Sequence, residues 1–105
     1  MQHHVVAERR FFVRPAAETE IAGAIAWYRS KHPGLEVAFV EEIDRVFAEI
    51  REAPERWPLW RQDRPYRQRR LRRFPFVVLY RVTDAHVRVA AVAHAARRPG
   101  YWLAR

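Results

Sequence analysis

Pro33 and Gly34 divide a stretch of helical periodicity into two nearly equal parts, and no other feature of the 105-residue chain constrains its fold as strongly. Before the break, from Ala16 to His32, Ile21, Ala24, Ile25 and Tyr28 recur every three or four residues. Glu18 and Glu20 stand in the first turn, where the helix dipole favours acids. After the break, from Leu35 to Ala53, Phe39, Val40, Ile43, Phe47 and Ile50 keep the same period, while Glu36, Glu41, Glu42, Asp44, Glu49 and Glu52 fill other positions. Pro54 ends this second segment. Two helices joined by so short a connection must run antiparallel, as a hairpin. Each then has an apolar stripe that the remaining chain has to cover.

That remainder reads as strand. Phe11, Phe12 and Val13 are aromatic or β-branched and stop at Pro15, which predicts a short first strand at a sheet edge. Glu55 to Pro65 is irregular and carries Trp57, Leu59 and Trp60, the two tryptophans being expected to plug one end of the core. Three strand patterns follow, over Arg67–Arg73, Phe76–Val82 and Val87–Ala93. The reversals fall at Phe74-Pro75 and Thr83-Asp84-Ala85, giving an antiparallel meander. Phe76 to Tyr80 is apolar on both alternating sets and is therefore central, with Val87, Val89 and Ala91 beside it. The expected fold is α+β: an N-terminal strand, an antiparallel two-helix hairpin, then a three-stranded antiparallel meander completing one sheet. The length has room for one core, so residues 10–105 are expected to form a single domain and residues 1–9 a leader or frayed N-terminus.

Charge supplies the first functional clue. Twenty cations, all arginine except Lys31, face twelve acids for a net charge of +8. Residues 1–55 hold seven cations against ten acids, whereas residues 56–105 hold thirteen arginines against only Asp63 and Asp84. So lopsided a field attracts a polyanion or an acidic protein partner. The absence of cysteine excludes disulfides, thiolate zinc sites and a catalytic thiol, and with no charged-then-apolar leader it fits a cytoplasmic protein. Uncharged runs such as Phe74 to Tyr80 are far short of the ~20 residues of a membrane helix, so no membrane association is expected. The pair His3-His4 is too short for a metal tract, and neither metal nor cofactor is expected.

Two basic clusters hold the candidate site. The first is Arg69-Arg70-Leu71-Arg72-Arg73; strand alternation places Arg70 and Arg72 on one face and Arg69, Leu71 and Arg73 on the other. The second follows the last strand, with His94, Arg97, Arg98, Tyr101 and Trp102. Guanidinium forks hold phosphates or carboxylates in a bidentate geometry that lysine does not match. Arg69, Arg70, Arg72, Arg73, Arg97, Arg98 and Trp102 are accordingly the candidate target-binding residues. The competing reading of the arginine run is an edge strand guarded against aggregation. Tyr101 and Trp102 either stack on bases or fold back to pin the tail. Trp27 and Tyr28 read as packing residues, and the adjacent Glu41 and Glu42 as solvated surface.

Taken in order, these segments go beyond fold class. Arg69 to Val82 reads as a basic strand, a turn and a core strand closing on Tyr80-Arg81-Val82, and Ala93 to Trp102 as a basic-aromatic exit. With Ala26-Trp27-Tyr28, Phe39-Val40-Glu41-Glu42-Ile43 and Ala53-Pro54-Glu55 in the hairpin, the chain over about residues 10–102 resembles the RelE/ParE superfamily of bacterial toxins. The resemblance implies the toxin of a type II toxin-antitoxin pair, neutralised in a hetero-oligomer by a cognate antitoxin. RelE-like members cut mRNA in the ribosomal A site, whereas ParE-like members poison DNA gyrase. The RelE pattern implies a basic residue on the second strand, matched by Arg70, and an arginine after the last strand, matched by Arg97. It implies a further arginine where Val77 stands, and a C-terminal aromatic acid-base group matched only by sliding the register to Tyr101. His94 is the candidate replacement base, since imidazole is the side chain suited to proton exchange at physiological pH. A metal-independent endoribonuclease would thus use His94, Arg97, Tyr101 and Arg70. Val77 tilts the expectation toward ParE-like gyrase inhibition, with mRNA cleavage as the alternative. A non-toxic nucleic-acid-binding module, favoured by charge alone, is the third reading.

Overall fold

The computed structural model describes residues 9–105, so the expected leader lies almost wholly outside the described residues. Strand β1 (Arg10–Val13) leads into helices α1 (Pro15–Lys31) and α2 (Leu35–Glu52); strands β2 (Arg67–Arg70), β3 (Phe76–Val82) and β4 (His86–His94) follow, and a 3₁₀ turn over Tyr101–Ala104 closes the chain. The strands form one sheet in the order β1-β4-β3-β2. The three later strands pair antiparallel as expected, while β1 lies parallel to β4 at the edge. The architecture is α+β, in the predicted element order.

Local chemistry sets the hairpin. Pro15 opens α1, at a position where a missing N–H costs nothing. Gly34 precedes α2 at φ 100°, a left-handed conformation that a side chain would oppose, and its N–H donates to Glu36 Oε1 at 2.7 Å. The helices bury Ala17, Ala24, Tyr28, Phe39, Ile43, Val46 and Ile50 against Val78, Tyr80, Val87, Val89 and Val92 of the sheet. On the opposite face, Leu79, Ala90, Ala91 and Ala93 lie beneath Trp102, with Trp60 and Tyr66 packed alongside. Small alanines leave room there for indole rings, so the sheet has a core on each side. Trp60 belongs to this second cluster and Trp57 to the helix side.

Three expectations need correction. Leu79 pairs with Ala91 but Tyr80 with Val89, so Ala90 is an extra residue in β4 and the alternation reverses there. Val92, not Ala91, therefore joins Val87 and Val89 beneath the helices. The second correction concerns β2, which ends at Arg70 rather than Arg73. The third explains it: Glu42 is 1% exposed, not solvated. One of its oxygens accepts the Arg72 N–H, and both lie 3.3 Å from the Arg73 nitrogen. A buried carboxylate on α2 thus takes the N–H groups that a longer strand would have paired.

The exit of α2 is tied to the sheet in the same way. The Tyr80 hydroxyl donates to the Pro54 carbonyl at 2.6 Å, and burial pushes this phenol up to about 12. Arg67 donates to the Trp57 carbonyl at 2.7 Å and the Glu55 carbonyl at 3.2 Å. Tyr80→Phe leaves the Pro54 carbonyl without this donor, an expected loss of about 1–3 kcal/mol in urea unfolding with an unchanged m-value. Wild-type stability in that variant would show that the bond contributes nothing.

Candidate functional site

The turn after β2 and the exit of β4 meet at one end of the sheet. Leu71 N–H donates to the Phe76 carbonyl at 3.0 Å, Ala95 N–H to the Pro75 carbonyl at 2.8 Å, and Phe76 pairs with His94. The turn Arg70–Arg73 and the segment His94–Arg98 thereby flank the same end of the sheet, with Arg70, Arg72, Arg73, His94, Arg97 and Arg98 all exposed. Arg70 lies on the outer face opposite Val77, His94 on the helix side beside Phe76 and Tyr28, and Arg97 over the Tyr101 ring. Among the described residues none of these five arginines forms an ion pair, and nearby Glu42 is engaged by the Arg72 and Arg73 N–H groups and by Arg45 at 3.9 Å. Phe74, packed on Tyr28 at 5.2 Å and on Phe39 at 5.2 Å, anchors the turn in the core below.

Two residues expected in this set face elsewhere. Arg69 turns to the helix side, where it pairs with Glu49 at 2.8 Å, donates to the Arg70 carbonyl and lies 5.3 Å from the Trp57 ring. Its buried Nε has no protein partner. Alternation along β2 sends Arg70 outward and Arg69 against α2. Trp102 is 4% exposed, at 5.0 Å from Trp60 and 4.8 Å from Tyr66, so it pins the tail to the sheet. Conversely, Trp27 was expected to pack and is 54% exposed, standing edge-on to buried Tyr28.

Tyr101 belongs to a network centred on Glu20. The ladder between β1 and β4 stops at Val13 and Val89. Beyond it, Val92 N–H donates to Glu20 at 2.9 Å and the Ala90 carbonyl accepts from Arg105 at 3.0 Å. Arg105 grips Glu20 with two bonds of 2.9 Å, and the Tyr101 hydroxyl donates to the same carboxylate. Burial opposes ionisation of Glu20, but donors from Arg105, Tyr101 and Val92 outweigh it and hold the carboxyl below its ordinary range. Burial, then the bond to Glu20 and its charge, push Tyr101 up to about 12. The Arg97 guanidinium lies 3.8 Å from the centre of the Tyr101 ring. Sequence gave Glu20 only as a favourable first-turn acid; its partner Arg105 is 85 residues away.

His94 Nδ1 accepts the Ala96 N–H at 3.0 Å, and its ring meets Phe76 edge-on at 5.1 Å. With Gly23, Ala24, Trp27, Tyr28 and Phe76 it walls a cleft of about 410 Å³ that contains no carboxylate. Val77 sits between Arg70 and Ala93 in a cross-strand row and is half-buried in the outer cluster. Arg70 on the outer face, His94 in the helix-side cleft and Arg97 over the Tyr101 ring thus stand apart, and the Tyr101 hydroxyl is turned to Glu20. Among the described residues no group of three or more His, Cys, Asp or Glu could hold a metal, and no helix is long and apolar enough to cross a membrane.

Comparison with known proteins matches this geometry to a family. Residues 11–99 match the model described as ParE toxin of type II toxin-antitoxin system, parDE. Among solved structures, the chromosomal ParDE TA system from P. aeruginosa superposes with a TM-score of 0.74 over 83% of this chain and 96% of that one, at 13% identity, a likeness of fold. No curated protein matches the sequence.

The tail network carries a pH signature. The folded-state pKa of Glu20 is depressed, so its contribution to stability is present above the unfolded carboxylate value near ~4 and fades as pH falls through the folded one. Glu20→Gln is expected to lose about 1–3 kcal/mol at pH 7 in denaturant unfolding. The gap to wild type should shrink progressively below about pH 4. A gap that stays constant across this range would contradict the assignment.

Proposed function

Because the chain belongs to the ParE toxin family of type II toxin-antitoxin systems, we propose that it inhibits DNA gyrase by docking the arginine-lined end of its sheet, and does not cut RNA. The state of Tyr101 carries this reading. Metal-free RNA cleavage needs a base for the 2′-hydroxyl, cations for the developing charge and an acid for the leaving oxygen. Tyr101, raised to about 12 and donating to Glu20, is poorly suited to exchange a proton near neutrality. His94 has no carboxylate in its cleft to orient it, and Val77 removes a cation from the row it shares with Arg70.

What remains is a binding device. Arg70, Arg72, Arg73, Arg97 and Arg98 are exposed and unpaired among the described residues, held on a rigid sheet end. Such forks recognise carboxylate or phosphate groups of a partner surface. The antitoxin that the family implies is proposed to mask the same arginines with an acidic segment that orders on docking.

Purified protein is expected to stall gyrase supercoiling in vitro and to accumulate cleaved DNA. Arg72→Ala with Arg73→Ala should weaken inhibition about tenfold or more, the loss of one or two charge-assisted contacts. Arg97→Ala should relieve growth arrest on expression without antitoxin. New 5′ ends on translated messages, with gyrase unaffected, would overturn this proposal in favour of ribosome-dependent mRNA cleavage.

A further inference from the structure

We infer that the open half of the sheet's outer face, around Phe12, Arg81 and Arg88, is a binding site for single-stranded nucleic acid. The site is separate from the proposed gyrase-docking end: Arg88 and His94 are six residues apart on β4, about 20 Å along an extended strand.

Alternation fixes the composition of this face. Tyr80, Val87 and Val89 pack beneath the helices, joined by Val82, so Arg81 and Arg88 point the opposite way. Phe11 and Val13 join the same helix-side core, which turns Phe12 outward as well. Across the strands Phe12 pairs with Arg88, Arg88 with Arg81, and Arg10 with His86. The His86 ring lies 5.3 Å from that of Phe12. Trp60, Tyr66 and Trp102 cover Leu79, Ala91 and Ala93 on the other half of this face. Among the described residues nothing lids this half: Phe12 is 40% exposed, and Arg81 and Arg88 are exposed with no ion-pair partner.

Two guanidinium groups directly opposite each other on paired strands repel. Asp84 in the adjoining turn is the nearest acid along these strands, and it forms no ion pair with either among the described residues. An anion bridging the two forks relieves that repulsion, and a phosphodiester supplies the oxygens for bidentate contacts. The exposed Phe12 ring beside them offers a flat stacking platform, the second component of single-strand recognition. A duplex fits poorly, because reading its grooves takes a protruding helix or ribbon and this surface is the middle of a sheet. An acidic peptide would satisfy the arginines but would gain little from Phe12, which stands as a platform and not as a pocket.

Fluorescence anisotropy of the full chain with labelled dT12 and rU12 tests this site, and the tighter of the two identifies the strand it takes. Phe12→Ala should weaken binding about tenfold while leaving the salt dependence unchanged. Arg81→Gln with Arg88→Gln should lower the slope of log K against log salt by about 1.4, two single-strand phosphate contacts. Phe12→Tyr, which keeps the ring, should restore affinity, and Phe12→Leu, which keeps bulk only, should not; this pair retains the test if Phe12→Ala folds poorly. Arg70→Gln with Arg72→Gln, at the other end, should leave the dependence on Phe12 intact. Wild-type affinity in both ring-deleted variants would overturn the inference, leaving only diffuse attraction to a basic protein. Equal dependence on Phe12 for a labelled acidic dodecapeptide would overturn it in favour of an acidic protein partner. Gyrase inhibition measured on the same Phe12 variants should be unchanged, so failure here and failure of the gyrase proposal are read separately.

Discussion

The buried carboxyl group of Glu42 holds the arginine-rich turn of this protein in place. Two consecutive backbone N–H groups, of Arg72 and Arg73, converge on it from a turn that has left the sheet and has no strand partner. A carboxyl group out of water is costly unless its polar atoms are met, and orphaned N–H groups are costly too; each defect here cures the other. The consequence is geometric. With the turn fixed, Phe74 is driven between Tyr28 and Phe39, and the side chains of Arg72 and Arg73 are left facing solvent.

Glu20 does comparable work on the far side. It receives Val92 where β1 no longer covers β4, and it gathers Arg105 and Tyr101 to clamp the tail. The acidic half of the chain thus spends several of its carboxylates internally, Glu49 on Arg69 included. The arginines of the other half outnumber the acids left unpaired among the described residues and become a standing demand for an external anion or acidic surface. For a toxin of a type II toxin-antitoxin family, such a field suits the proposal that one set of cations both engages a target and is covered by an inhibitor.

Much of this was legible in the sequence. Period and punctuation locate the hairpin at Pro33-Gly34, the α+β order and the central position of Phe76 to Tyr80, because each rests on local chemistry. The family resemblance rests on the same ordered segments. What escaped depends on contacts between distant residues. The bulge at Ala90 carries no glycine or other local mark, so Ala91 and Val92 exchange faces without notice. Glu42 looks like any helix-surface acid until the turn 30 residues later arrives beside it. Arg69 and Arg70 are identical in type, and only the register of β2 against α2 separates a half-buried ion-pair partner from a surface cation. Trp102 gave two readings in the sequence; the space left by Ala91 and Ala93 decides for the packed one.

Amide hydrogen exchange at Arg72 and Arg73, compared between wild type and Glu42→Ala, tests the central claim most directly. Both amides should be protected in the wild type and should exchange rapidly in the variant, while the amides of β3 and β4 stay protected, which separates release of the turn from global unfolding. Equal protection of the two amides in both proteins would mean that something other than this carboxylate orders the arginine turn.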